Sequence, residues 1–127
     1  MKKTFLSIII IIGILGLFYV MNKPSKIQNS INADYIFYYG QECPHCHNVL
    51  KYVADNKIDQ KLKIENKEVY HNEENKTDLG KLVATCPEIQ NPEGGIGVPI
   101  LFIVKDKKCL LGDQPIIDKY KELSTAM

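Results

Sequence analysis

A chain of 127 residues with 45% hydrophobic side chains is one domain long, and a formal net charge of +1 leaves it close to neutral. There is no arginine: all 16 basic residues are lysines, and with Lys2 and Lys3 set aside 14 lysines face 15 Asp and Glu from Asn22 onward. A neutral domain without the guanidinium fork lacks the electrostatic footprint and the bidentate donors of nucleic-acid binders, and that class is set aside.

Behind the positive start Lys2-Lys3 comes Phe5 to Met21, 17 residues without a charge. As a helix this run spans about 26 Å, close to the ~30 Å hydrocarbon core of a bilayer, and flanking lysines make up the difference by snorkelling. No polar face marks it as a buried core helix. It is longer than the ~7–15 apolar residues of a secretory signal, and no small-x-small cleavage site follows. An uncleaved signal anchor over residues 1–21 is therefore expected, ahead of a cleaved peptide. Both readings place the remainder outside the cytoplasm. For the anchor, the amino group with Lys2 and Lys3 outweighs Lys23 and Lys26, which predicts a single-pass cell-membrane protein with its C-terminal part extracytoplasmic. Residues 22–33, polar with one proline, read as a tether, and 34–127 as the folded domain.

Tyr35 to Tyr39 (YIFYY) is a β-branched and aromatic run ended by Gly40, the pattern of a buried strand. After Gln41-Glu42-Cys43-Pro44-His45-Cys46-His47, the residues Cys46, Val49, Leu50, Val53 and Ala54 repeat with helical spacing. Pro44 suits the first helical position and puts Cys43 at the N-cap. Leu62, Ile64 and Val69 predict a second strand around Lys61 to Tyr70. Leu79, Leu82, Val83 and Cys86 form a second helical stripe, stopped by Pro87. Gln90 to Gly97 is a loop by its Asn, Pro and Gly content. A third strand runs from Pro99 to Val104, with proline where a strand tolerates it, and a fourth from Cys109 to Leu111. Pro115 to Leu123 is a last helix with Ile116, Ile117, Tyr120 and Leu123 on one face. The predicted order is β-α-β-α-β-β-α.

A Cys-x-x-Cys that follows a strand and opens a helix is a specific signal for thiol–disulfide chemistry. Cysteines three apart at a helix start can close a disulfide with little movement. Cys43 faces the unpaired N–H groups and the positive end of the helix dipole, which stabilise its thiolate, as can the neighbouring imidazole of His45. The thiolate is the attacking species, and Cys46, one turn in on the apolar stripe, is the resolving thiol that releases the product. Zinc binding is the competing reading, because His45 and His47 crowd the two cysteines. Zinc sites want four ligands, and the chain has no second cluster of that kind, so no metal is expected. His47 reads as an exposed helix residue and His71 as solvent-facing.

From Asp34 to Leu123 the chain resembles the thioredoxin superfamily. The resemblance rests on the β-α-β-α-β-β-α order, Cys43-Pro44-His45-Cys46, and Val98-Pro99 ahead of a strand. It implies an α/β thioredoxin-like fold around a four-stranded mixed sheet, a cis bond before Pro99, and a substrate contact at Val98 and Pro99. Cys-Pro-His-Cys with Val-Pro most resembles the bacterial disulfide-oxidase (DsbA-like) branch, while the short chain has the size of a glutaredoxin core. The likeness implies an oxidoreductase with no cofactor beyond its redox-active disulfide, acting on protein thiols and disulfides, the oxidising direction first and the reducing direction second. It also admits a membrane redox partner of the DsbB, vitamin K epoxide reductase or DsbD kind. One departure stands out: six residues before the first active cysteine, where such proteins often carry a buried acid, stands Phe37, and Glu42 at the loop end of the strand is no substitute.

Cys86 and Cys109 complete an even set of four cysteines. In an oxidising compartment they can form a second disulfide. Alternatively they are two buried free thiols packing as small hydrophobes.

Overall fold

The computed structural model describes residues 32–126, with Ile14 alone ahead of them. The expected anchor over 1–21 and most of the tether over 22–33 lie outside the described residues. Among the described residues no helix is long and apolar enough to cross a membrane.

The elements follow the predicted order: β1 (Tyr35–Tyr39), α1 (Pro44–Asp55), β2 (Ile64–Glu68), α2 (Glu73–Leu82), β3 (Ile100–Ile103), β4 (Lys108–Leu111) and α3 (Asp113–Thr125). Two short 3-10 turns, Ile58–Gln60 and Pro87–Ile89, intervene. The strands form one mixed sheet in the order β2-β1-β3-β4. β1 runs parallel to β2, with Tyr35 opposite Ile64, and antiparallel to β3, with Phe37 opposite Leu101. β3 and β4 form a hairpin in which Phe102 faces Cys109.

Strand alternation divides the core in two. Phe37 and Leu101 point to one face, where they pack with Val49 of α1 and with Ile116 and Tyr120 of α3. Tyr38 and Ile100 point to the other, against Leu79 and Leu82 of α2, Cys86 and Ile89. The YIFYY strand thus serves both cores. On the α2 side the ammonium of Lys67 is buried 2.9 Å from Asp78. Burial pushes the Asp78 carboxyl up, and the bonds from Lys67 and Lys81 outweigh it, so the group lies below its ordinary range. Burial, helped by Asp78 and Glu65, pushes the neighbouring Tyr38 phenol up to about 12.

The second helix ends earlier than its apolar stripe predicts. α2 stops at Leu82, and Cys86 stands just beyond it as the residue that opens the Pro87–Ile89 turn. The Cys86 N–H still donates to the Leu82 carbonyl at 2.8 Å, which continues the helical side-chain direction through the turn. α2 owes its start to Asn72, whose side chain accepts the Asn75 N–H at 3.0 Å. Glu73 and Glu74 in the first turn and Lys81 in the last complement its dipole.

Candidate active site

The carboxyl end of β1 delivers the chain to the first turn of α1. Cys43 is the N-cap, with extended backbone (φ −86°, ψ 110°), and Pro44 takes the first helical position, where its missing N–H costs nothing. Cys43 and Cys46 are joined in a disulfide with Cα atoms 5.2 Å apart. The Cys46 N–H donates to Cys43 Sγ at 3.2 Å, so the sulfur occupies the capping position for the helix's unpaired donors. Cys43 keeps 6% exposure and Cys46 has none, so of the two residues only Cys43 reaches the surface.

Three other segments close on this turn. The bond between Val98 and Pro99 is cis, Pro99 is buried, and the Val98 carbonyl oxygen stands 3.7 Å from Cys43 Sγ. In the disulfide that sulfur has no proton to donate, whereas a Cys43 thiol could donate to the same carbonyl. The Pro99 carbonyl accepts the Gly112 N–H at 3.0 Å, which ties this loop to the start of α3. Gly112 has φ +94°, a conformation that favours glycine, and it turns the chain so that Asp113 faces α1. The Asp113 carboxylate accepts from His45 Nδ1 at 3.1 Å and from Asn48 Nδ2 at 2.7 Å. Those two bonds, Asn48 first, hold its carboxyl down at about 2. An ionised carboxylate can only accept, which places the His45 proton on Nδ1.

The third segment follows β2. The Glu68 carboxylate accepts N–H groups from Tyr70 at 2.7 Å, His71 at 2.8 Å and Gln41 at 3.2 Å. Partial burial pushes its carboxyl up, and the backbone donors outweigh this and hold it below its ordinary range. His71 Nε2 donates to Glu42 at 2.6 Å, and that bond, with Glu42's charge, raises the His71 imidazole above its usual value. His47 Nε2 donates to the Gln41 carbonyl at 2.7 Å. The Tyr70 ring lies against Gly40, where a methyl group would overlap it.

All three histidines of the chain therefore meet at the cysteine end of the sheet. His47 is exposed, as its helical position predicts, but it is bonded to the loop. His71 is not merely solvent-facing, since it pairs with Glu42 beside Cys43. Asp113, Glu68 and Gln41 were not singled out by sequence reasoning. The bond from His45 to Asp113 spans 68 residues and that from Gln41 to Glu68 spans 27, and no local spacing signals such contacts.

Cys86 and Cys109 form the second disulfide, with Cα atoms 6.0 Å apart, which decides between the two sequence readings. Among the described residues no group of three or more His, Cys, Asp or Glu is arranged to hold a metal ion. A cleft of about 430 Å³ lies on the α2 face, lined by Ile36, Tyr38, Lys67, Asp78, Leu82 and Phe102 among others, and is separate from the Cys43–Cys46 pair. The molecule is thus an α/β protein with a mixed four-stranded sheet and a helix-capping Cys-x-x-Cys disulfide. No protein-family model matches the chain, and no curated protein matches it.

Proposed function

We propose that this chain is a thioredoxin-like thiol–disulfide oxidoreductase, anchored to the membrane by residues 1–21 and acting on exported proteins in the oxidising direction. The reading rests on one observation above all: a disulfide whose outer sulfur caps a helix and whose inner sulfur is shielded. In the oxidising reaction a substrate thiolate attacks Cys43 Sγ, the disulfide breaks, and Cys46 leaves as a thiolate that takes a proton. A second substrate thiolate then attacks the substrate sulfur of the mixed disulfide, and Cys43 leaves as a thiolate. The substrate loses two electrons and the Cys43–Cys46 pair gains them. A helix N-terminus lowers the energy of the departing Cys43 thiolate, which favours this direction. Substrate backbone can pair alongside Val98, whose carbonyl already faces the sulfur.

The test is the trapping pattern. Cys43→Ser should abolish disulfide transfer to a reduced model protein, and Cys46→Ser, offered a protein that carries a disulfide, should accumulate mixed disulfides through Cys43 that a reductant releases. Accumulation in Cys43→Ser and not in Cys46→Ser would reverse the roles and defeat the assignment.

A further inference from the structure

Two residues ahead of the attacking sulfur are held from three sides. The Gln41 N–H is bonded to Glu68 and its carbonyl to His47, and the Glu42 carboxylate is bonded to His71. Glu68 also accepts the His71 N–H, so one carboxylate at the end of β2 fixes the Gln41 peptide and seats the histidine that meets Glu42. Lysines elsewhere neutralise Asp55, Asp78, Glu73, Glu122 and Asp118, but among the described residues none is paired with Glu42 or Glu68. The charge beside Cys43 is met by an imidazole instead.

We propose that Glu68 and His71 are positioning residues for exchange at Cys43: Glu68 holds the loop and seats His71, and His71 sets the charge that Glu42 presents to the sulfur. This rests on the reading of Cys43 as the exchanging cysteine. His71 faces Glu42 from the cysteine loop and Glu68 from β2, with Glu73 and Glu74 following in the first turn of α2. Cys43 is flanked by Glu42, by the His45–Asp113 pair and by the N-terminus of α1. With His71 protonated, its pair with Glu42 is neutral. With His71 neutral, the Glu42 charge stands uncompensated and opposes the thiolate that Cys43 becomes when a substrate disulfide departs. The coupling is reciprocal: a thiolate at Cys43 favours the imidazolium at His71. His71 should therefore titrate at higher pH in the dithiol than in the disulfide.

The experiment follows the His71 ring by NMR from pH 4.5 to 8.5 in the oxidised and reduced full chain. It is joined to thiolate absorbance of the wild type, Glu42→Gln and Glu68→Gln. The expected results are a higher His71 titration on reduction and, in Glu42→Gln, a thiolate-to-thiol ratio larger on the order of threefold above neutral pH, with the His71 titration lowered in both redox states. Glu68→Gln should lower the exchange rate and shrink the redox dependence of His71. Glu42→Gln changes an exposed side chain and carries the test if Glu68→Gln does not fold. Identical His71 titrations in the two redox states, or an unchanged Cys43 titration in Glu42→Gln, would overturn the coupling. Exchange at Cys43 in the wild type is measured separately, and its absence would defeat the functional reading while the titrations still decide the coupling.

Discussion

At the start of α1, His45, two residues after Cys43, is bonded to the Asp113 carboxylate. The imidazole, next in sequence but one to Cys43, favours a thiolate when protonated, and the carboxylate that orients it opposes one. The two substitutions should therefore act in opposite senses. His45→Ala leaves Asp113 ionised at the helix start and should move the Cys43 titration up, making the pair more reducing. Asp113→Asn removes the anion, keeps an oxygen that can accept from Nδ1, and should move it down. A tenfold change in thiolate stability corresponds to about 30 mV, so a reduction potential measured against glutathione would register either change. Shifts in the same direction would show that the pair acts through geometry and not charge. The placing of Cys43, Pro44 and Cys46 at a helix start and of Pro99 just ahead of a strand was legible in the sequence, because both are local patterns, whereas the cis bond before Pro99 was implied by the family resemblance alone. Asp113 and Glu68 were not legible, because an acid on a polar stretch looks the same whether it faces solvent or reaches across the fold.

Among the elements, the hairpin of β3 and β4 and the end of α2 are joined by the Cys86–Cys109 disulfide, and the enclosed segment contains Val98 and Pro99. Strand alternation explains why the bridge forms: Cys109 lies opposite Phe102 and packs with the α2-side cluster, on the same face as buried Cys86. The sequence could not show this, since four residues of β4 are too few to tell which face Cys109 uses. β2 was hard to delimit for a related reason. Its sequence IENKE has one apolar residue, and its buried lysine is tolerated through the bond to Asp78. With a sequence separation of 23, the bridge should stabilise the fold by about 3 kcal/mol through the unfolded chain. The double variant Cys86→Ala with Cys109→Ala should accordingly lower the thermal midpoint by on the order of 10–20 °C while still exchanging disulfides through Cys43. A midpoint within a few degrees of wild type would mean that the bridge contributes little.

For the molecule as a whole, the same carboxylates that shape the cysteine loop set its stability against acid. A carboxyl held below its unfolded value contributes stability that is complete above that value and is lost as pH falls through the folded one. Asp113, with a folded value of about 2 against an unfolded value of about 3.9, should therefore lose its contribution between about pH 4 and pH 2. Glu68 and Asp78 are shifted in the same direction and add to this acid limb. His71 has the opposite sign. Its imidazole is raised, so its contribution is complete below about pH 6.5 and disappears as pH rises through the folded value. Together these shifted groups favour the range between about pH 5 and pH 6.5. Thermal unfolding of the disulfide-bonded protein from pH 2 to pH 9 should give a midpoint that falls on both sides of this range, more steeply toward acid. Asp113→Asn should flatten the acid limb by removing the carboxyl that Asn48 and His45 hold down, and Glu42→Gln the alkaline one by removing the charge that raises His71. A midpoint that rises continuously below pH 4, or an acid limb unchanged in Asp113→Asn, would remove these pairs as the source of the pH dependence.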